Sequence, residues 1–210
     1  MPIEMLTIVE RLRQQREKRK AKVGDETLLR AGLSAAPVDW SPDGKSVLYQ
    51  ENAPKTGYDL WLLPVDGDHA PVSYVPTPFN EQSGTFSPDG RWVAYQSDES
   101  GQSQVYVQGM PATGAKYQIS TSGGTQPRWR RDGKELYYFS QDQKLMAAPI
   151  ALGAVVEPGT PHALFTAAGL FDGGYAPSRD GQRFLVTDEL ERQRRGGHRR
   201  AENGDHELES

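Results

Sequence analysis

Four copies of one short turn phrase punctuate the chain: Ser41-Pro42-Asp43-Gly44, Ser87-Pro88-Asp89-Gly90, Arg130-Arg131-Asp132-Gly133 and Ser178-Arg179-Asp180-Gly181. Their glycines stand 46, 43 and 48 residues apart. A turn signal returning at a period of roughly 40 to 50 residues marks a repeat array. Within each phrase the glycine supplies the positive φ that closes a hairpin, and the aspartate carboxylate accepts a backbone N–H. Pro42 and Pro88 preset φ at about −65° as the chain enters the turn.

The residues around each turn follow one plan. Trp40, Phe86 and Trp129 each precede a phrase by one position. A β-rich run follows it: Val47-Leu48-Tyr49, Trp92-Val93-Ala94-Tyr95, Leu136-Tyr137-Tyr138-Phe139 and Phe184-Leu185-Val186. In the first three units come a polar turn and a second run: Leu60-Trp61-Leu62-Leu63, Val105-Tyr106-Val107 and Leu145-Met146-Ala147. Each of these units closes on a last short strand: Val72 to Val75, Lys116 to Ile119 and Ala163 to Phe165. Such spacing predicts antiparallel meanders. One four-stranded sheet cannot bury both its faces alone, so the units are expected to stack as the blades of a propeller. The shared slot makes Trp40, Phe86 and Trp129 core residues before it makes them a ligand cage. Trp61 and Tyr106 share a third-strand slot that fits either core or binding surface.

The chain supplies three full units and the first half of a fourth, over 36–187. Ahead of them, 1–35 reads as a basic amphipathic helix or linker: Met5, Ile8, Val9 and Leu12 share one helical face, and Arg11 to Lys22 is strongly basic. After them, 188–210 mixes arginines and carboxylates with almost no apolar residues and reads as a disordered tail. The expected fold class is therefore all-β: an incomplete propeller of about three and a half four-stranded antiparallel blades, flanked by a helix and a tail. Fewer than four blades leave open edges, and these are expected to self-associate.

Composition narrows the chemistry. A net charge of −4 argues against a nucleic-acid surface. With no cysteine, disulfide and thiolate chemistry is excluded. No apolar run is long enough to span a bilayer, and Met5 to Val9 is too short for a signal core. Gly44-Lys45-Ser46 imitates the end of a phosphate-binding loop, but Asp39 stands where its first glycine belongs. Neither a kinase catalytic loop nor the Gly-x-Ser-x-Gly elbow of α/β-hydrolases occurs. The four histidines are scattered, and Asp66-Gly67-Asp68 lacks the glutamate a calcium loop needs at its end. The expectation is no catalytic, cofactor or metal residue, no cofactor, and no enzyme activity. The residues singled out are the turn positions Asp43, Gly44, Asp89, Gly90, Asp132, Gly133, Asp180 and Gly181. To these we add Arg128, Arg130, Arg131 and Arg179, a basic group that could meet an anion or an acidic partner.

The turn phrase with its apolar pair, aromatic, glycine turn and Leu-Trp or Val-Tyr resembles the WD40-like (PD40) repeats of TolB-type β-propellers, over roughly residues 36–187. Trp92 to Gly101, Gln126 to Leu136 and Lys144-Leu145-Met146 are similar to the C-terminal propeller of certain bacterial membrane-anchored serine/threonine kinases. The resemblance brings no catalytic residues with it. TolB-type propellers usually have six blades, which at about 45 residues each need roughly 270. The function it implies is a non-catalytic module that binds a protein, a ligand or a cell-envelope component. Its alternatives are the sensor fragment of such a kinase, or the propeller part of a prolyl-oligopeptidase-type hydrolase without its catalytic domain. As written the chain reads as cytoplasmic, and as extracytoplasmic if it belongs to a membrane-anchored kinase or a TolB-like protein.

Overall fold

The computed structural model describes residues 35–112, 114–167 and 174–186. The expected N-terminal helix and the charged tail lie outside them. Every described element is a β-strand. The first sheet runs β1 (Ala35–Trp40), β2 (Ser46–Ala53), β3 (Gly57–Pro64), β4 (Val72–Ser73), and its strands pair in that order. The second repeats the plan with β5 (Glu81–Phe86), β6 (Trp92–Ser97), β7 (Gln104–Gly109) and β8 (Lys116–Gln118). All pairings are antiparallel, and the three to seven residues between neighbouring strands are too few for the crossover a parallel pair needs.

The third sheet departs from the expected four strands. It holds β9 (Thr125–Trp129), β10 (Glu135–Phe139), a nine-residue β11 (Lys144–Leu152), β12 (Val156–Pro158) and β13 (His162–Thr166). Strand β11 is long enough for two partners: Lys144 to Ala147 pair with β13, while Ile150 to Leu152 pair with β12. Pro149 hides this in the sequence, because proline usually ends a strand. Here it is exposed, and its carbonyl still accepts the Gly159 N–H at 2.7 Å. The fourth unit is the hairpin of β14 (Tyr175–Pro177) and β15 (Phe184–Val186).

Stacking explains the burial. All six residues of β6 are buried, and its four apolar ones alternate between two cores. Trp92 and Ala94 pack with Trp129, Leu136, Tyr138 and Ile150 of the third sheet. Val93 and Tyr95 pack with Leu48, Leu60 and Tyr74 of the first. Strand β10 does the same one step along: Leu136 and Tyr138 face back, whereas Tyr137 and Phe139 join Tyr175 of the fourth unit. A strand buried on both faces loses the apolar–polar alternation of a one-sided sheet, which is what Trp92 to Tyr95 shows in the sequence.

The first strands of the first three sheets pack in turn, β1 on β5 and β5 on β9, so these strands converge. Polar ties cross the seams. Asp39 on β1 accepts from Thr85 Oγ1 at 2.9 Å and from the Phe86 N–H at 2.7 Å, and Trp129 Nε1 donates to the Thr85 carbonyl at 3.2 Å. Phe86 and Trp129 are buried at their shared slot, but Trp40 is only half-buried. No described sheet lies ahead of Trp40 to cover it.

Candidate functional site

The four turn phrases fold alike. Gly44, Gly90, Gly133 and Gly181 have φ of 75°, 72°, 74° and 71°. Each donates its N–H to the carbonyl three residues back. Asp43, Asp89, Asp132 and Asp180 each accept the N–H two residues on, at 3.1 Å. Ser41, Ser87 and Ser178 donate their hydroxyls to the same carboxylates. Those hydroxyl bonds are the main reason that Asp43 and Asp180 are held below the usual carboxylate range. For Asp89 burial pushes upward, and Ser87 and Arg91 outweigh it to leave the group lowered.

The third phrase has Arg130 in place of serine. Its Nε and Nη2 clamp Asp132 at 2.7 and 2.8 Å, and its Nη1 reaches Glu135 at 2.8 Å. That fork brings the Asp132 carboxyl down to about 2 and raises the guanidinium further. Of the four arginines singled out in the sequence, Arg130 is thus committed to two carboxylates. Its side chain also abuts Gly181, where an added Cβ would stand 2.8 Å from Arg130 Cδ. Arg131 and Arg179 are exposed in their turns. Arg128 is not in a turn at all; it is half-buried on β9 and donates to the Pro127 carbonyl at 2.9 Å.

Four residues ahead of each turn aspartate lies an equivalent position of the converging strands. It holds Asp39, Thr85 and Arg128 in the first three units. An acid, a hydroxyl and a base thus follow one another around the inner strands.

A second recurring position stands six residues ahead of each turn aspartate. It is left-handed in three units: Ser83 at φ 57°, Gln126 at 53° and Gly174 at 76°. Pro37 fills it in the first, where the ring forbids positive φ. The inner strands carry a register shift beside it, between Gln82 and Thr85 and opposite Tyr137 and Phe139. Non-glycine residues in this region are strained and persist only when neighbours hold them. The holders are glutamines of the preceding sheet: Gln50 Oε1 accepts the Ser83 N–H at 3.0 Å, and Gln96 Oε1 accepts the Gln126 N–H at 2.9 Å. Phe139 occupies the corresponding place in the third unit and packs on Tyr175, ring centroids 4.8 Å apart.

These bulged inner strands, with Asp39, Thr85 and Arg128 on them, are the candidate site, and only Arg128 among them was singled out from the sequence. The signal was present as a fixed spacing from each turn phrase. It stayed hidden because proline, serine, glutamine and glycine share no obvious chemistry. Trp61 and Tyr106 fall elsewhere, in third strands. Trp61 is half-buried and stacks on Tyr49 at 6.4 Å, while Tyr106 is buried with the Lys116 ammonium 5.1 Å from its ring centroid.

No family model and no curated protein matches the sequence. Solved structures do match the fold. A TolB from Acinetobacter baumannii aligns with a TM-score of 0.53 and 20% identity, over 76% of this chain and 39% of its own. A protein assigned as TolB from Agrobacterium tumefaciens aligns at 0.51 and 21%, over 64% and 52%. An oligogalacturonate lyase in complex with manganese aligns at 0.52 and 16%, over 70% and 42%. The chain therefore spans about half or less of the length of these three structures. The lyase corrects one expectation: an enzyme carries this fold, so the propeller and the missing kinase and hydrolase motifs do not support calling the chain a non-enzyme. In its described residues the chain has a TolB-like β-propeller fold.

Proposed function

We propose that this chain is a binding module that grips a protein, or another component of the cell envelope, at the bulged ends of its inner strands. The observation that carries the reading is the left-handed residue recurring at one repeat position and held, at Ser83 and Gln126, by a glutamine from the sheet before. Backbone strain kept by a dedicated side chain is a feature of sites that present groups to a ligand. The sequence of Asp39, Thr85 and Arg128 beside it supplies charges of both signs. The phrases shared with kinase-attached propellers support a sensing role for the same surface. The open edges of the first sheet and of the β14–β15 hairpin support self-association as a second contact.

Peptide display against the full chain tests the reading. Selected peptides are expected to lose at least about tenfold in affinity, roughly 1.4 kcal/mol, on Arg128→Ala or Asp39→Asn. They are expected to keep it on Lys116→Ala at the outer edge of the second sheet. Peptides indifferent to Arg128 and Asp39 would contradict the assignment.

A further inference from the structure

Glu81 opens β5 with its side chain fully buried. Thr77 Oγ1 and Ser97 Oγ both donate to its Oε1, the latter at 3.2 Å. Its Oε2 is buried and has no hydrogen-bond partner. A second buried carboxylate oxygen without a partner, Asp59 Oδ1, belongs to β3. The other oxygen of Asp59 accepts from Thr56 Oγ1 at 3.0 Å. One main-chain to side-chain tie sets the two groups in the same seam: the Tyr58 N–H donates to Asn80 Oδ1 at 2.9 Å, and these residues immediately precede Asp59 and Glu81.

Two buried acceptors without a donor form an arrangement that proteins avoid. Among the described residues, no cation of the elements packed on β5 is hydrogen-bonded or ion-paired to either group. Strand β3 contributes Asp59, and β2 contributes Glu51, paired in register with Asp59. The segment after β6 contributes Asp98, which accepts the Asn80 N–H, and Glu99, which Lys116 already pairs. Strand β1 contributes Asp39, bonded at the far end of β5, and β9 contributes Arg128, bonded to Pro127. A hard metal cation takes about six to eight oxygens, and no group of three or more His, Cys, Asp or Glu side chains able to hold one occurs among the described residues.

We infer that the seam between the first two sheets is a proton-binding site, in which Glu81 is the neutral acid and donates its Oε2–H to Asp59 Oδ1. One proton then satisfies both orphan atoms and clasps β3 to β5. Its loss places two carboxylates face to face and pushes the two sheets apart at the strand that leads into Ser83. The electrostatics agree in direction: burial pushes the Glu81 carboxyl up, the Thr77 and Ser97 hydroxyls pull it down, and Asp59 and Glu99 push it up again, with a raised group as the result. A carboxyl raised on folding contributes fully below its ordinary range, and that contribution fades as pH rises through the folded value.

The test compares the full chain with Glu81→Gln, whose amide keeps the acceptor for Thr77 and Ser97 and donates to Asp59 at every pH. Thermal unfolding from about pH 5 to about pH 9 should show the variant gaining on the parent as pH rises, by roughly 2–4 °C or more at the alkaline end. Difference infrared spectroscopy at neutral pH should show a protonated carboxyl stretch in the parent that the variant lacks. A variant less stable by the same amount at all pH values would overturn the proposal, as would a parent showing carboxylate bands alone. Calcium chloride that raises the unfolding midpoint of the parent but not of the variant would also overturn it, in favour of a metal. An unchanged midpoint with calcium supports the proton.

Discussion

Gln50 reaches from the first sheet to hold the Ser83 N–H of the second, so a truncation there strands a backbone donor next to a left-handed residue. Gln50→Ala should destabilise the chain by about 1 kcal/mol, the low end of the range for an unmade bond, because the Ser83 N–H is only half-buried. Gln50→Glu keeps an acceptor and should lose less. Urea unfolding of the two variants checks the ordering, and an equal loss would remove the hydrogen bond as the cause. Asp132 gives a second residue-scale prediction. Arg130 holds its carboxyl near about 2, so the pair contributes above the ordinary carboxylate range and is lost as pH falls toward 2. Asp132 is half-exposed, with 47% of its side chain open to solvent, so screening limits the pair to within about 1 kcal/mol. Asp132→Asn should cost that small amount at pH 7, and the difference from the parent should vanish in acid.

At the scale of elements, the seams leave no room. A Cβ at Gly84 on β5 would come 2.5 Å from Leu48 Cδ2 and 3.2 Å from both Leu60 methyls. Gly84→Val should therefore force the first two sheets apart and cost at least about 1–3 kcal/mol, read from the denaturant midpoint. The strands themselves were legible in the sequence wherever an Asp-Gly turn set the register. Runs such as Trp92 to Tyr95 announced a strand covered on both faces. The sequence did not show β12, because Pro149 lies inside β11, where a proline argues against a continuous interior strand. Nor did it show that Ser140-Gln141-Asp142-Gln143 repeats the turn chemistry. There Ser140 Oγ donates to Asp142 at 2.6 Å and Gln143 sits at φ 61°, where the other turns have glycine. The slot of Pro37, Ser83, Gln126 and Gly174 keeps a fixed spacing from each turn phrase, but the contacts that hold it, like the Glu81–Asp59 seam, depend on which sheet meets which. Contacts between residues more than twenty positions apart leave no local trace.

Across the whole molecule, mutual cover between sheets is the source of stability. Trp129 is buried between the second and third sheets, with its Nε1 on the Thr85 carbonyl, so Trp129→Ala should cost about 3–5 kcal/mol. Trp40 holds the same repeat position without a described sheet ahead of it, and Trp40→Ala should cost clearly less. Equal losses at the two positions would contradict the stacking argument. The most direct measurement of that argument is amide hydrogen exchange followed along the full chain. Exchange should be slowest in β6 and β7, whose sheet is flanked on both faces. It should be faster in β1 and β2, and fastest in β14 and β15, where the hairpin has no further described strand. Uniform protection of all the sheets, or greatest protection in the β14–β15 hairpin, would show that the sheets do not depend on one another for cover.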